Sequence, residues 1–183
     1  MKQQLALPTS ANRVKASASN PMRAVAIEKV ILSAGATADA LVKARKLLEF
    51  LTKRKAQVIT TRKRIPDFNV RPGLEVGTRV TLRGNTALEM LRRLLGAVEN
   101  TLSRKQVADN HLSFGIHEYI EIPEMEYQRD IGIRGFNTDI VFVRPGMRVK
   151  RKKLKAGHIP RRQYITRDEI IKYMEERFKT KFT

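Results

Sequence analysis

The net positive charge of this chain is concentrated in three segments expected at the surface, and that partition decides where a core can form. Between Arg144 and Arg162 stand nine Lys or Arg and no Asp or Glu. Lys53 to Arg71 carries seven bases against the single acid Asp67. The first 23 residues add Lys2, Arg13, Lys15 and Arg23 without an acid. Charged side chains are almost never fully buried unless paired, so these stretches are expected at the surface. They account for the whole formal charge of +19, and the remainder is balanced, with 17 bases against 17 acids. The expectation is a neutral folding body with three cationic surfaces, and clustered positive charge of this size points to a polyanion, nucleic acid first.

With 183 residues and 42% apolar content, one domain with a real core is the default. The chain has no Cys, which excludes disulfides and thiolate metal sites and fits a reducing cytoplasm. No apolar run approaches the ~20 residues of a membrane span. Leu5-Ala6-Leu7 is cut short by Pro8 and is no signal-peptide core. Residues 1–19 read as a flexible basic N-terminal extension, and 20–183 as a single RNA-binding domain with a basic arm within 144–162.

Val25 to Leu32 reads as a strand, broken by Gly35. A helix is expected over Thr37–Thr52, with Leu41, Ala44, Leu48 and Leu51 on one stripe. Gln57–Thr61 is a short strand, Arg62–Gly73 a loop, and Val76–Leu82 the next strand. Thr86 and Glu89 have capping-box spacing at the head of a second helix whose stripe is Leu88, Leu91, Leu95, Val98 and Leu102. Residues 107–116 look irregular. Strands are expected over Ile116–Ile122 and Phe136–Val143, and a last helix opens with a Thr166/Glu169 capping box and buries Ile170, Met174 and Phe178. The order predicts an α+β fold, a mainly antiparallel sheet with helices packed on one face, plus the basic C-terminal arm.

The residues offer no catalytic constellation. His111, His117 and His158 have no partner at a metal-ligand spacing, so no metal or cofactor is expected. Glu118, Glu121, Glu124, Glu126 and Asp130 form the only acidic cluster. Read on a strand, Glu118 and Glu121 face opposite sides, which argues against a two-metal nuclease and for a solvated rim or a contact for a basic protein. No phosphate-binding loop, dinucleotide fingerprint or nucleophile elbow is present. Function falls to the basic segments instead. Arg62-Lys63-Arg64 and Arg71 flank Phe68 on a loop, where Arg can clamp phosphate and Phe can stack on a base; the alternative is that Phe68 folds back onto the sheet. The arm from Gly146 to Gly157 has few apolar residues and is expected to order only against its partner.

Asn20-Pro21-Met22-Arg23 followed by Ile27-Glu28-Lys29-Val30, Arg71-Pro72-Gly73 through Val80-Thr81-Leu82-Arg83-Gly84, Leu112 to Ile116, and Asp130 to Gly135 resemble, in order, the ribosomal protein L-five family. That family is the universal large-subunit protein that binds 5S rRNA. Arg144-Pro145-Gly146, Ile159-Pro160 and the last helix resemble its archaeal and eukaryotic branch. The resemblance implies a structural, non-enzymatic constituent of the large subunit of the cytoplasmic ribosome. It implies 5S rRNA and large-subunit rRNA in the central protuberance as partners, held by Asn20, Met22, Arg23, Ser33, Lys53, Arg54, Lys55, Thr61, Thr81, Arg83, Arg148, Lys150, Arg151, Lys152, Lys153, Lys155, Arg161 and Arg162. It further implies that the 62–76 loop, through Arg62, Lys63, Arg64, Phe68 and Arg71, reaches the peptidyl-site tRNA. An outer edge, through Glu118, Glu121, Glu124 and Glu126, is expected to meet a small-subunit protein in an intersubunit bridge.

Two departures stand out. Leu32-Ser33-Ala34-Gly35 replaces a Leu-Asn-x-Gly pattern, and Thr52-Lys53-Arg54-Lys55-Ala56 replaces Thr-Gly-Gln-Lys-Pro. An amide each time gives way to a hydroxyl or a cation, a shift toward phosphate contacts, which position without reading bases. The alternative function is a free-standing RNA-binding regulator or chaperone. It shares the charges but has no fixed place in a particle.

Overall fold

The computed structural model describes residues 20–123 and 125–183. The expected extension, 1–19, lies outside them, as does Glu124. In chain order the elements are β1 (Ala26–Gly35), α1 (Ala38–Thr52), β2 (Gln57–Thr60), β3 (Glu75–Leu82), α2 (Asn85–Ala97), β4 (Thr101–Leu102), β5 (Val107–Ala108), β6 (His111–Ile116), β7 (Phe136–Val143), α3 (Arg148–Arg151), α4 (Arg167–Phe178) and β8 (Lys181–Phe182). Six strands form an antiparallel sheet in the order β2-β3-β1-β7-β6-β5, and β4 pairs with β8 in a small parallel ladder. This is the expected α+β architecture.

Alternation along the strands divides the sheet into a covered and an open face. Val30, Leu32 and Ala34 of β1 point one way, with Val80 and Leu82 of β3, Leu112, Phe114 and Ile116 of β6, and Phe136, Ile140 and Phe142 of β7. Leu41, Ala44, Leu47, Leu48 and Leu51 of α1, Leu91, Leu94 and Leu95 of α2, and Ile170, Tyr173 and Met174 of α4 close over them in one core. Phe142 and Tyr173 meet edge to face at 5.8 Å, the arrangement aromatic quadrupoles favour. Each fully buried Leu or Ile in this layer contributes about 1.5–3 kcal/mol of hydrophobic stabilisation. The helices spend their apolar stripes on a single face, so the opposite face has no cover.

Three local expectations are corrected. The stretch expected to be irregular, 107–116, contains β5 and β6, whereas Tyr119–Glu121 within the expected strand is a 3-10 turn. Leu112, Phe114 and Ile116 keep strict alternation, but His111, Ser113 and Gly115 between them are poor strand formers and mask it. Tyr119 and Ile122, three residues apart, bury together on the turn, and the Tyr119 hydroxyl accepts from the Gln128 amide at 2.7 Å. The Thr86/Glu89 capping box does not form; Gly84 caps α2, and the Thr86 hydroxyl donates to the Arg83 carbonyl. The α2 stripe also ends early, because Glu99 and Asn100 take left-handed conformations, and this turns Leu102 into β4. Ala87, Met90 and Leu94 join the buried face instead. The Thr166/Glu169 box heads α4 as expected.

Candidate RNA-binding surface

Register places the open-face residues in rows. One row runs Gln57, Arg79, Ser33, Asn137, Gly115 from β2 to β6, and the next runs Thr81, Ile31, Asp139, Ser113. Lys29, Val141 and His111 form a third, and Arg83 continues the Arg79 and Thr81 alternation just past β3. Arg79 is held straight by its Nε, which donates to Gln57 Oε1 at 3.1 Å. Ser33 and Thr81, both expected to touch RNA, do lie together on this face, with Ser33 between Arg79 and Asn137. Lys53, Arg54 and Lys55 are exposed where the chain enters β2 at the sheet edge, with Lys53 closing α1 in a left-handed conformation. The turn that presents them is tied to α1 by Glu49, which accepts from the Ala56 amide and from Arg45 at 3.1 Å. Those two contacts, the amide first, hold the Glu49 carboxyl below its ordinary value.

At the end of the sheet where β1 begins and β7 finishes, two of the cationic segments adjoin. Asn20 caps a turn over Pro21–Arg23 by accepting from the Met22 amide. The Gln163 amide group donates both to the Met22 carbonyl at 3.2 Å and to the Pro145 carbonyl at 3.1 Å, which ties the N-terminal segment to the base of the arm. Arg144, counted among the cationic surface, is instead buried: its side chain is 3% exposed, and it donates to Glu169 Oε1 at 2.5 Å and to the Arg162 carbonyl at 3.3 Å. The first and last residues of the arm are thereby clamped together. Within the arm, α3 is closed by the Gly157 amide donating to the Val149 carbonyl, and Ile159 is buried. Arg151 pairs with Glu28 at 2.6 Å across the bulge in β1. That contact holds the Glu28 carboxyl below its ordinary value and raises Arg151. The expectation of an arm ordered only by its partner is corrected at its base, which the protein packs itself. Lys150, Lys152, Lys153 and Lys155, with Arg148, Arg161 and Arg162, remain exposed, and Leu154 at the tip is 82% exposed.

The opposite end of the sheet carries the β2–β3 loop. Thr61 and Leu74 continue the ladder, Ile65 and Val70 bridge by two 3.0 Å hydrogen bonds, and Pro66–Phe68 forms a 3-10 turn between them. The Thr61 hydroxyl donates to the Lys63 carbonyl at 2.9 Å, so its own hydrogen bond shapes the loop. Buried Val70 anchors the excursion while Phe68 is 75% exposed; Phe68 does not fold back onto the sheet. Arg62, Lys63, Arg64 and Arg71 are exposed around it. The long β6–β7 connection emerges at this same end, with Glu118, Glu121 and Glu126 exposed. Gly135 lets it return, since a Cβ there would stand 2.5 Å from the carbonyl oxygens of Ile116 and His117. Because Glu118 and Glu121 sit on a turn, the strand argument about their opposed directions does not hold. No group of three metal-ligating side chains gathers among the described residues.

Lys29, Gln57, Arg79, Asn137, Asp139 and Ser113 were not singled out in the sequence, although they stand in the rows of this face. The alternation of the strands expected over 25–32, 57–61, 76–82 and 136–143 could have found all of them but Ser113, which is legible only once β6 is placed.

A three-helix layer covers one side of the sheet, and the other side is uncovered and bordered by cations. The comparisons name the family. Residues 75–161 match the model of the ribosomal L5P family C-terminus. The chain is 38% identical over 160 residues to large ribosomal subunit protein uL5 of Nanoarchaeum equitans, covering 86% of this chain and 95% of that protein. It is 39% identical over 163 residues to the Sulfolobus acidocaldarius uL5, covering 87% and 91%, and 36% identical over 163 residues to that of Archaeoglobus fulgidus, covering 88% and 92%. The chain belongs to the uL5 family of large-subunit ribosomal proteins, and the relatives compared are archaeal. Membership makes it an rRNA-binding structural constituent of the cytoplasmic ribosome, not an enzyme.

Proposed function

We propose that the open sheet face and the cationic segments at its ends hold 5S rRNA and large-subunit rRNA in the central protuberance. The observation that carries this reading is the face itself. A sheet side that no helix covers presents Lys29, Ser33, Arg79, Thr81 and Arg83 in adjacent rows, and Asn20, Met22, Arg23 and the arm join at one end of it. Bases on a polar, rigid sheet position RNA backbone by charge-assisted hydrogen bonds. The loop from Arg62 to Arg71 reaches the peptidyl-site tRNA, with Phe68 available for stacking. The acidic turn at Glu118, Glu121 and Glu126, at that same end, suits a basic small-subunit protein at an intersubunit bridge.

The test is binding of purified chain to 5S rRNA across a salt series. Neutralising about six to ten phosphates gives a log–log slope of roughly −4 to −9; a slope near zero refutes the electrostatic reading. A free-standing RNA-binding regulator or chaperone would share that slope. Sedimentation separates the two, since a ribosomal constituent stays with large subunits through a salt wash.

A further inference from the structure

We propose that the open face also contains a base-reading subsite, in which Asp139 accepts the Watson–Crick edge of one unpaired guanine. This deepens the RNA-face reading and rests on it. Between β6 and β7 lies a shallow depression of about 300 Å³, lined by Gln106, Ser113, Gly115, Asn137 and Asp139. That volume is at the small end of ligand sites, enough for a single planar group. Gly115 keeps the floor flat: a Cβ at that position would stand 3.3 Å from Asn137 Oδ1, so the missing side chain lets the Asn137 amide lie across β6.

The chemistry of the depression differs from that of its surroundings. The cations of this face, Lys29, Arg79 and Arg83, stand on β1 or at β3. Across the strands Asp139 faces Ile31 on one side and Ser113 on the other, and among the described residues no cation pairs with it. A carboxylate in this position repels phosphate. It accepts hydrogen bonds and donates none, so RNA seated here must present donors. Unpaired guanine offers two adjacent ones, N1–H and the N2 amino group, which match the two carboxylate oxygens. Adenine and cytosine place a ring acceptor beside their amino group, and uracil presents one N–H between two carbonyls. The amides of Asn137 and Gln106 and the Ser113 hydroxyl are left for O6 or the ribose. The face then divides its work, with phosphates positioned on the β1–β3 side and a base read on the β6–β7 side.

The experiment uses the full chain, 5S rRNA as probe, and two footprints. Kethoxal modifies guanine at N1 and N2, and hydroxyl radicals report backbone contact. With the unchanged chain, one unpaired guanine should be protected from kethoxal. Asp139→Asn keeps the shape but replaces one acceptor oxygen by a donor. It should restore reactivity at that guanine by about 5–150-fold, the range of one good bidentate contact, while the backbone footprint and salt slope stay unchanged. Asp139→Ser should do the same, and both variants should match the unchanged chain in circular dichroism. Guanine protection that survives both variants, or that vanishes in magnesium-free buffer with the unchanged chain, overturns the subsite. No guanine protection with an intact backbone footprint overturns it as well. Loss of the backbone footprint on the sheet side, in the unchanged chain, would overturn the RNA-face reading itself and is a distinguishable failure.

Discussion

Replacing Glu169 by Gln isolates the ion pair that closes the base of the arm. Arg144 is buried with its side chain 3% exposed, and its short contact to Glu169 is the only ion pair shown for it. The substitution keeps the volume and leaves an oxygen for the Thr166 amide, so the α4 cap survives while the guanidinium loses its counter-charge. Removing one partner of a fully buried pair costs about 3–5 kcal/mol. Glu169 retains 42% exposure, so solvent already shares the interaction. The expected cost is about 2 kcal/mol, within the ~1.5–3 kcal/mol of a hydrogen bond to a charged group. For a chain of this length ~1 kcal/mol corresponds to ~2–4 °C, which places the fall in Tm near 4–8 °C. Thermal unfolding followed by circular dichroism measures it. Arg144→Met added to Glu169→Gln should cost nothing further or restore stability, because it removes the uncompensated buried charge. A Tm for Glu169→Gln within a degree of the unchanged chain would refute the reasoning, and so would a double variant whose losses simply add.

The remaining predictions concern exposed groups and the core. The Arg151 contact lowers the Glu28 carboxyl below its ordinary 4.5, so its stabilisation is present above that value and is lost as pH falls through the lower folded value. Below it, amide exchange in α3 should quicken, and Glu28→Gln should remove this pH dependence at a cost of about 0.2–1 kcal/mol. Phe68→Ala with Arg71→Ala should leave Tm unchanged and the chain incorporated in large subunits, but should weaken tRNA occupancy; loss of incorporation would assign the loop to assembly. Leu91→Ala, at the fully buried centre of α2, should cost about 2–5 kcal/mol in denaturant unfolding. Limited proteolysis of free chain should cut first between Lys153 and Lys155, just past the Lys152 amide that closes α3 on the Arg148 carbonyl, where no hydrogen bond or ion pair is shown among the described residues, and rRNA should protect that site; equal protection in both states would mean that the tip too packs on the protein.

The sequence by itself determined where charge could go and which segments could be core. Acid-free runs at Lys53–Lys55, Arg62–Arg64 and Lys150–Lys155 have no local way to neutralise themselves, and the stripes of Leu and Ile in α1 and α4 follow from a period of 3.6 residues. Those are local properties, and each was legible. What the tertiary structure decided was non-local. Arg144 looked like one more surface base until α4 brought Glu169 to it across 25 positions. Ser113 and Gly115 concealed a strand that only its register with β7 establishes. Asp139 and Asn137 became neighbours of Ser33 and Arg79 because β1 sits between β3 and β7, an order that no spacing along the chain encodes. Periodicity tells which side of an element turns inward; which elements share a face depends on loop closure and on the burial the assembled layers achieve together. A face made of rows across five strands is therefore settled by packing.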